Sequence, residues 1–201
     1  MQLLTWRTPN GRKPAILLAE LGWPCALRLV DLGKQEQKAP EYLALNPNGK
    51  IPTLVDGEVV VFESGAILQY LAEKAGRFLP HTPASRAEVL SWTYWQVGGP
   101  GPIFGQVGAF AREATRDEHA FAKFHEESRR LAGVLDRRLR DRDWIAREYS
   151  IADMMSYPWF AAIAEAEPDI LEGADAVKAW LARMGGRPAV VRGMQLEIER
   201  P

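Results

Sequence analysis

The sequence predicts an α/β domain built on a mixed four-stranded sheet, followed by an all-α domain, and three observations carry that prediction. Over residues 1 to about 76, short apolar strands alternate with helical apolar spacing. A proline-opened run, Pro52-Thr53-Leu54-Val55, leads through Asp56-Gly57 into a second apolar run, the pattern of a hairpin. Beyond Leu79-Pro80-His81-Thr82-Pro83, a linker by composition, the apolar spacing is helical throughout.

Leu3-Leu4-Thr5-Trp6 forms the first strand, Ala15 to Leu21 lies in a helix, and Ala26 to Val30 forms the second strand. A right-handed crossover makes these two strands parallel, and the hairpin from Thr53 to Phe62 adds two antiparallel ones. A helix from Ser64 to about Lys74, closed by Gly76, completes a thioredoxin-like domain over residues 1–78. In the all-helical domain, residues 84–201, Ser85-Arg86-Ala87-Glu88 and Thr115-Arg116-Asp117-Glu118 have capping-box spacing. Ser150-Ile151-Ala152-Asp153 is the aspartate version, flanked by Tyr149 and Met154 where a hydrophobic staple would sit. Phe121, Phe124, Leu131, Val134, Leu135 and Leu139 keep one apolar stripe, and Ala174 to Met184 gives another helix. Trp92, Tyr94, Trp95 and Gln96, on a helix before the Gly98-Gly99-Pro100-Gly101-Pro102 break, read as a core cluster.

With 47% hydrophobic and 25% charged residues the chain can bury one large or two small cores. A net charge of −1, with arginines interspersed among acids, provides no field for a polyanion, so no nucleic-acid partner is expected. No run reaches the ~18 apolar residues of a membrane span, and Met1 to Arg7 lacks the apolar core of a signal peptide, so the expected location is cytoplasmic. The one cysteine, Cys25, follows Trp23-Pro24 at a strand start and reads as a small buried residue. His81, His119 and His125 show no i,i+4 pairing, so they are taken as surface or packing residues and no metal is expected.

Two segments describe a binding site for a small peptide. In Asn48-Gly49-Lys50-Ile51-Pro52-Thr53-Leu54, the Ile51-Pro52 bond between a turn and a strand is a candidate cis peptide, which would present the Ile51 N–H and carbonyl to a bound backbone. In Phe62-Glu63-Ser64-Gly65-Ala66-Ile67, an acid and a hydroxyl open a helix whose N-terminus attracts a carboxylate while Glu63 holds an ammonium. One amino-acid head group satisfies both.

These two segments, with Thr8-Pro9-Asn10-Gly11, Asp31-Leu32-Gly33-Lys34, Trp95 to Pro102 and Tyr149 to Asp153, make the chain resemble the cytosolic glutathione transferases over nearly all its length. Within them it is most similar to the nu class. The resemblance implies the glutathione transferase fold, a homodimer, and glutathione as cosubstrate. The loop after the first strand has no sulfur, which rules out a glutaredoxin mechanism, so the reactive thiol comes with the ligand. By resemblance Thr8 and Asn10 face that sulfur as catalytic residues, Glu63 and Ser64 hold the γ-glutamyl group, and Ile51 with Pro52 aligns the cysteinyl unit. Lys50 and Gln37 are candidates for the glycyl carboxylate. Arg130 is a candidate to reach a ligand from the helical domain or a partner subunit, the alternative being a surface salt bridge.

The class implies disulfide-bond reductase activity beside weaker conjugation to a small electrophile. A non-catalytic interaction or regulatory module on the same fold, or a glutathione-dependent dehalogenase or isomerase, are the alternatives. One departure stands out: nu-class sequences commonly place a histidine before the phenylalanine after a Gly-Gln pair, and Gly105-Gln106-Val107-Gly108-Ala109-Phe110 has none. The second-substrate pocket is accordingly expected to be less polar.

Overall fold

Gln2–Thr5 (β1) and Ala26–Leu29 (β2) pair in parallel, while Thr53–Asp56 (β3) runs antiparallel to both β1 and Val59–Phe62 (β4). The sheet order is β2-β1-β3-β4, the mixed four-stranded arrangement the sequence predicts. The structure, a computed structural model, describes residues 1–197. They divide into one unit of residues 1–77 with the segment from Gly186 onward, and a second of Phe78–Gly185.

In the first unit the helices are Pro9–Leu21 (α1), Pro40–Leu43 (α2) and Ser64–Ala75 (α3), with a 3-10 turn at Glu36–Lys38. Successive residues of a strand face opposite sides of the sheet, so Leu4 joins Val30 and Tyr42 on one face while Leu3 points to the other. Leu3, Leu4, Ile16, Leu17, Leu18, Leu54, Ile67, Leu68 and Leu71 are all fully buried. The first helix begins six residues before the expected Ala15. Proline suits a first helical position because its fixed φ is already helical and it has no N–H to satisfy, and Thr8 caps the turn. The start of α1 lies flush on the end of β1: a Cβ at Gly11 would stand 2.1 Å from the Trp6 carbonyl oxygen, and the Thr5 hydroxyl donates to the Gly11 carbonyl at 2.9 Å.

Pro188–Gln195 (α9) belongs to this unit, whereas the sequence reading assigned 84–201 to the helical domain; residues 198–201 lie outside the described residues. The helix packs on α1 at Gly193, where a Cβ would meet the Ile16 Cα at 2.4 Å, and Arg187 forks onto Glu20 at 2.8 and 3.1 Å. Backbones this close leave no space for any side chain at that crossing.

The second unit holds Pro83–Gly98 (α4), Pro100–Phe110 (α5), Glu118–Leu139 (α6), Ile151–Ala166 (α7) and Asp175–Gly185 (α8), with a 3-10 turn at Pro168–Leu171. Its aromatic core runs from Trp92 through Trp95 and Phe160 to Trp180, with ring centroids 5.0–6.4 Å apart, while Tyr94 departs from the expected cluster and is 56% exposed. Two of the expected capping boxes do not form. α4 begins at Pro83, which leaves Ser85 inside the helix and Glu88 paired with Arg138, and α6 is capped by Asp117, which accepts from the Ala120 N–H at 3.0 Å. No described helix is long and apolar enough to cross a membrane. His125 packs on Phe121 and lies 3.2 Å from Asp169, whose carboxylate also takes Arg129 at 2.7 Å.

The third box forms as expected. Buried Asp153 accepts from the N–H groups of Ser150 (3.1 Å) and Ile145 (3.0 Å) and from the Trp180 indole (3.0 Å). Burial pushes its carboxyl up to about 6, against the opposing pull of these donors. Asp153→Ala strands three buried donors and is expected to cost about 3 kcal/mol or more in denaturant unfolding. Because the folded carboxyl titrates above the ~3.9 of an unfolded aspartate, its favourable contribution is full below about pH 4 and is lost as pH rises through about 6. The penalty of the substitution is therefore expected to be larger at pH 4 than at pH 7.

Candidate functional site

The sheet register gathers the candidate residues. Thr53 pairs with Phe62 and with Leu4, so the chain just before β3 (Ile51-Pro52), just after β4 (Glu63-Ser64) and just after β1 (Trp6 to Asn10) emerges at one end of the sheet. β2 runs parallel to β1, so the loop from Asp31 to Lys38 leaves from that end as well. The N-termini of α1 and α3 open there too, two helix starts whose dipoles favour an anion.

At the start of α1, the Thr8 hydroxyl accepts from the Gly11 N–H at 3.2 Å. A hydroxyl that accepts in this way keeps its own proton for donation. Asn10 stands on the first turn and its Oδ1 accepts from Lys13 Nζ at 2.8 Å. Lys13 is 2% exposed; burial holds its ammonium well below the ordinary lysine range, and the charge of Glu63 partly restores it.

The turn before β3 is held from beneath. Asn46 accepts from the Asn48 N–H at 3.0 Å and donates to the Lys50 carbonyl at 2.7 Å and to Thr53 Oγ1 at 3.1 Å. The Tyr42 hydroxyl donates to the same carbonyl at 2.9 Å. The Ile51-Pro52 bond is cis, as the sequence suggested. Ile51 packs its side chain against Leu4, Val30 and Tyr42, and no hydrogen bond to its N–H or carbonyl occurs among the described residues. The Lys50 side chain is exposed and Pro52 is buried.

Glu63 precedes α3 at φ 70°, a region glycine favours and glutamate enters only at a cost of about 1–3 kcal/mol. Ser64 opens the helix and is 6% exposed. In the Asp31 loop, Asp31 Oδ1 accepts from the Gly33 and Lys34 N–H groups and Glu36 accepts from the Asp31 N–H at 2.8 Å. That fixes the turn bearing Gln37, whose Oε1 is buried with no hydrogen-bond partner.

The structure thus brings Thr8, Asn10, Lys50, Ile51, Pro52, Glu63 and Ser64 to one sheet end, with Gln37 on a loop that starts there. Arg130 lies on α6 in the other unit, exposed and forked onto Glu127 with both contacts at 2.7 Å, so it engages the surface ion pair that was its alternative. Cys25 precedes β2 at the opposite end, about 13 Å away along the strand. It is fully buried, and burial pushes its thiol up, which makes it a poor nucleophile. Sequence reasoning missed Lys13, Tyr42, Asn46 and Thr53. The only trace of the first was a lysine three residues after Asn10, directly before an apolar helical run.

The chain matches the family model of the glutathione S-transferase N-terminal domain over residues 1–73 and that of the C-terminal domain over residues 88–188. It is 44% identical over 205 residues to the disulfide-bond oxidoreductase YfcG of Escherichia coli strain K12, an alignment covering 96% of this chain and 95% of that protein. A glutathione transferase from Pseudomonas putida, crystallised with one glutathione disulfide per subunit, superposes with a TM-score of 0.93 at 40% identity, covering 96% of this chain and 90% of that one. A family member from Pseudomonas fluorescens Pf-5 with two glutathiones bound gives 0.92 at 40% identity, covering 96% and 91%. Both domain models are matched in order across most of its length, and the chain belongs to the glutathione S-transferase family.

Proposed function

We propose that this chain binds glutathione at the gathered end of its sheet and uses the thiolate for thiol–disulfide exchange, with conjugation to small electrophiles as a companion activity. The observation that carries the reading is a helix start furnished with donors, Thr8 and Asn10, and with no cysteine of the protein's own, so the sulfur arrives on the peptide. The name of the Escherichia coli relative and the glutathione disulfide in the Pseudomonas putida structure support exchange over conjugation.

In the exchange, the bound thiolate attacks one sulfur of a disulfide, forms a mixed disulfide and releases the other sulfur as a thiolate. A second glutathione thiolate then attacks the glutathionyl sulfur, forming glutathione disulfide and releasing the reduced substrate thiol. Glu63 holds the γ-glutamyl ammonium, while Ser64 and the start of α3 hold its carboxylate. The outward N–H and carbonyl of Ile51 pair with the cysteinyl backbone, and Pro52 sets that edge. Lys50 meets the glycyl carboxylate. Gln37 offers its orphaned oxygen to a peptide N–H or its nitrogen to that carboxylate. Arg130 reaches a ligand only by giving up Glu127. A reducing, glutathione-rich cytoplasm is the matching compartment.

A homodimer fits the surface of each unit taken by itself. β4 leaves Val59, Val60 and Phe62 39–44% exposed on a sheet edge, and the helical unit exposes Tyr94 and Val97. Light scattering is expected to return twice the 22.5 kDa chain mass, and a monomer at micromolar concentration would count against the dimer.

Ser64→Ala removes a charge-assisted contact and is expected to weaken glutathione binding about ten- to a hundredfold by calorimetry. Thr8→Ala and Asn10→Ala are each expected to slow disulfide reduction about five- to thirtyfold. Followed by ultraviolet thiolate absorbance, bound glutathione should titrate roughly a unit below the free peptide and return toward it in the double variant. Bound thiol that titrates like free thiol contradicts the reading. Cys25→Ala is expected to keep most of the activity; its loss in a folded variant would show that the protein contributes a sulfur after all.

A further inference from the structure

Lys13 is the polar side chain at the site for which the roles above leave no use. Its ammonium is 2% exposed, placed one helical turn beyond Asn10 and hydrogen-bonded to Asn10 Oδ1 at 2.8 Å. The carboxylate whose charge acts on it is Glu63, an exposed residue and thus a weakly compensating partner. Burying an ammonium this completely is costly, and a fold serving packing alone would put methionine or leucine there.

The chemistry of the pair explains the lysine. A carboxamide has one accepting end and one donating end, and a sulfur anion needs the donating end. An ammonium has donors only, so it can engage Asn10 solely through Oδ1. With the oxygen engaged by Lys13, the donating nitrogen is the end of the carboxamide turned away from the lysine.

Building on the assignment of Thr8 and Asn10 as the sulfur's donors, we propose that Lys13 is a positioning residue for the glutathione thiolate: it ties the Asn10 carboxamide by its oxygen so that the nitrogen faces the sulfur, and it lends a buried positive charge beneath it. A bound thiolate would bring its negative charge to the same helix start, where the lysine favours it over the neutral thiol.

Lys13→Met keeps length and apolar volume while removing charge and donors. In the full-length protein the thiol of bound glutathione, followed by thiolate absorbance against pH, is expected to shift up by about half to one unit. kcat/KM for a small disulfide at neutral pH should fall about three- to tenfold. Binding of S-methylglutathione, which has the peptide but no thiol to ionise, should stay within about twofold of native by calorimetry. A native thiol pKa in Lys13→Met overturns the proposal, as does equal weakening of glutathione and S-methylglutathione, which would make the lysine merely structural. Should Lys13→Met fail to fold, Lys13→Gln, uncharged and able to present either amide end to Asn10, is expected to shift the thiol the same way, and a native value there overturns the proposal. If the native protein itself leaves bound glutathione as acidic as free peptide, the Thr8 and Asn10 reading fails instead, so the two failures are told apart.

Discussion

The pairing of β3 between β1 and β4 is the constraint on which the site depends. Thr53 faces Leu4 on one side and Phe62 on the other, so three chain segments far apart in sequence must leave the sheet together. A one-residue slip would take Thr53 away from the Tyr42 and Asn46 side chains that hydrogen-bond it and turn Leu54 toward them. Side-chain pairing across the sheet therefore holds the register, and the register sets the spacing between the turn at Thr8 to Asn10, Ile51 and Glu63. The Tyr42, Asn46 and Thr53 hydrogen bonds add stiffness to the one segment, Lys50 to Pro52, that no strand secures.

Two opposing electrostatic arrangements meet at that sheet end. The starts of α1 and α3 concentrate partial positive charge from their first N–H groups, and Lys13 buries its amino group within the first turns of α1. Glu63 is the counterweight, kept next to them by a backbone conformation that glutamate does not prefer. A zwitterionic head group with an anionic sulfur matches this distribution, whereas a simple anion would meet Glu63 and a simple cation would meet the helix starts.

Features made by neighbours in sequence were legible before the structure. The hydroxyl, proline and amide of Thr8-Pro9-Asn10, the Ile51-Pro52 step and the acid-hydroxyl pair Glu63-Ser64 each act through their own backbone, so local pattern suffices. Features made across the fold were not. Lys13 precedes an apolar run and reads as a solvated charge until its burial is seen, and Tyr42 and Asn46 acquire their role only when β3 brings Thr53 and the Lys50 carbonyl to them. The capping boxes failed where a stronger local signal stood nearby: Pro83 starts α4 before Ser85 can cap it, and Asp117 displaces Thr115. Pro9 and Thr8 carried the same kind of signal for α1, which is why that helix starts earlier than its apolar stripe suggested.

The seat of α9 on α1 has a temporal side. Arg187 and Glu20 are separated by 167 residues, and Gly193 closes over Ile16, so the unit that carries the candidate site is discontinuous along the chain and its last helix arrives after the whole helical unit has been made. On a ribosome that emits roughly 5–20 residues per second, α1 waits several seconds or more with its outer face uncovered. The helical unit, whose chain from Phe78 to Gly185 is continuous, is synthesised within that interval. Completion therefore runs against sequence order: the unit that begins first is finished last, and its packing closes on the timescale of translation rather than of local folding.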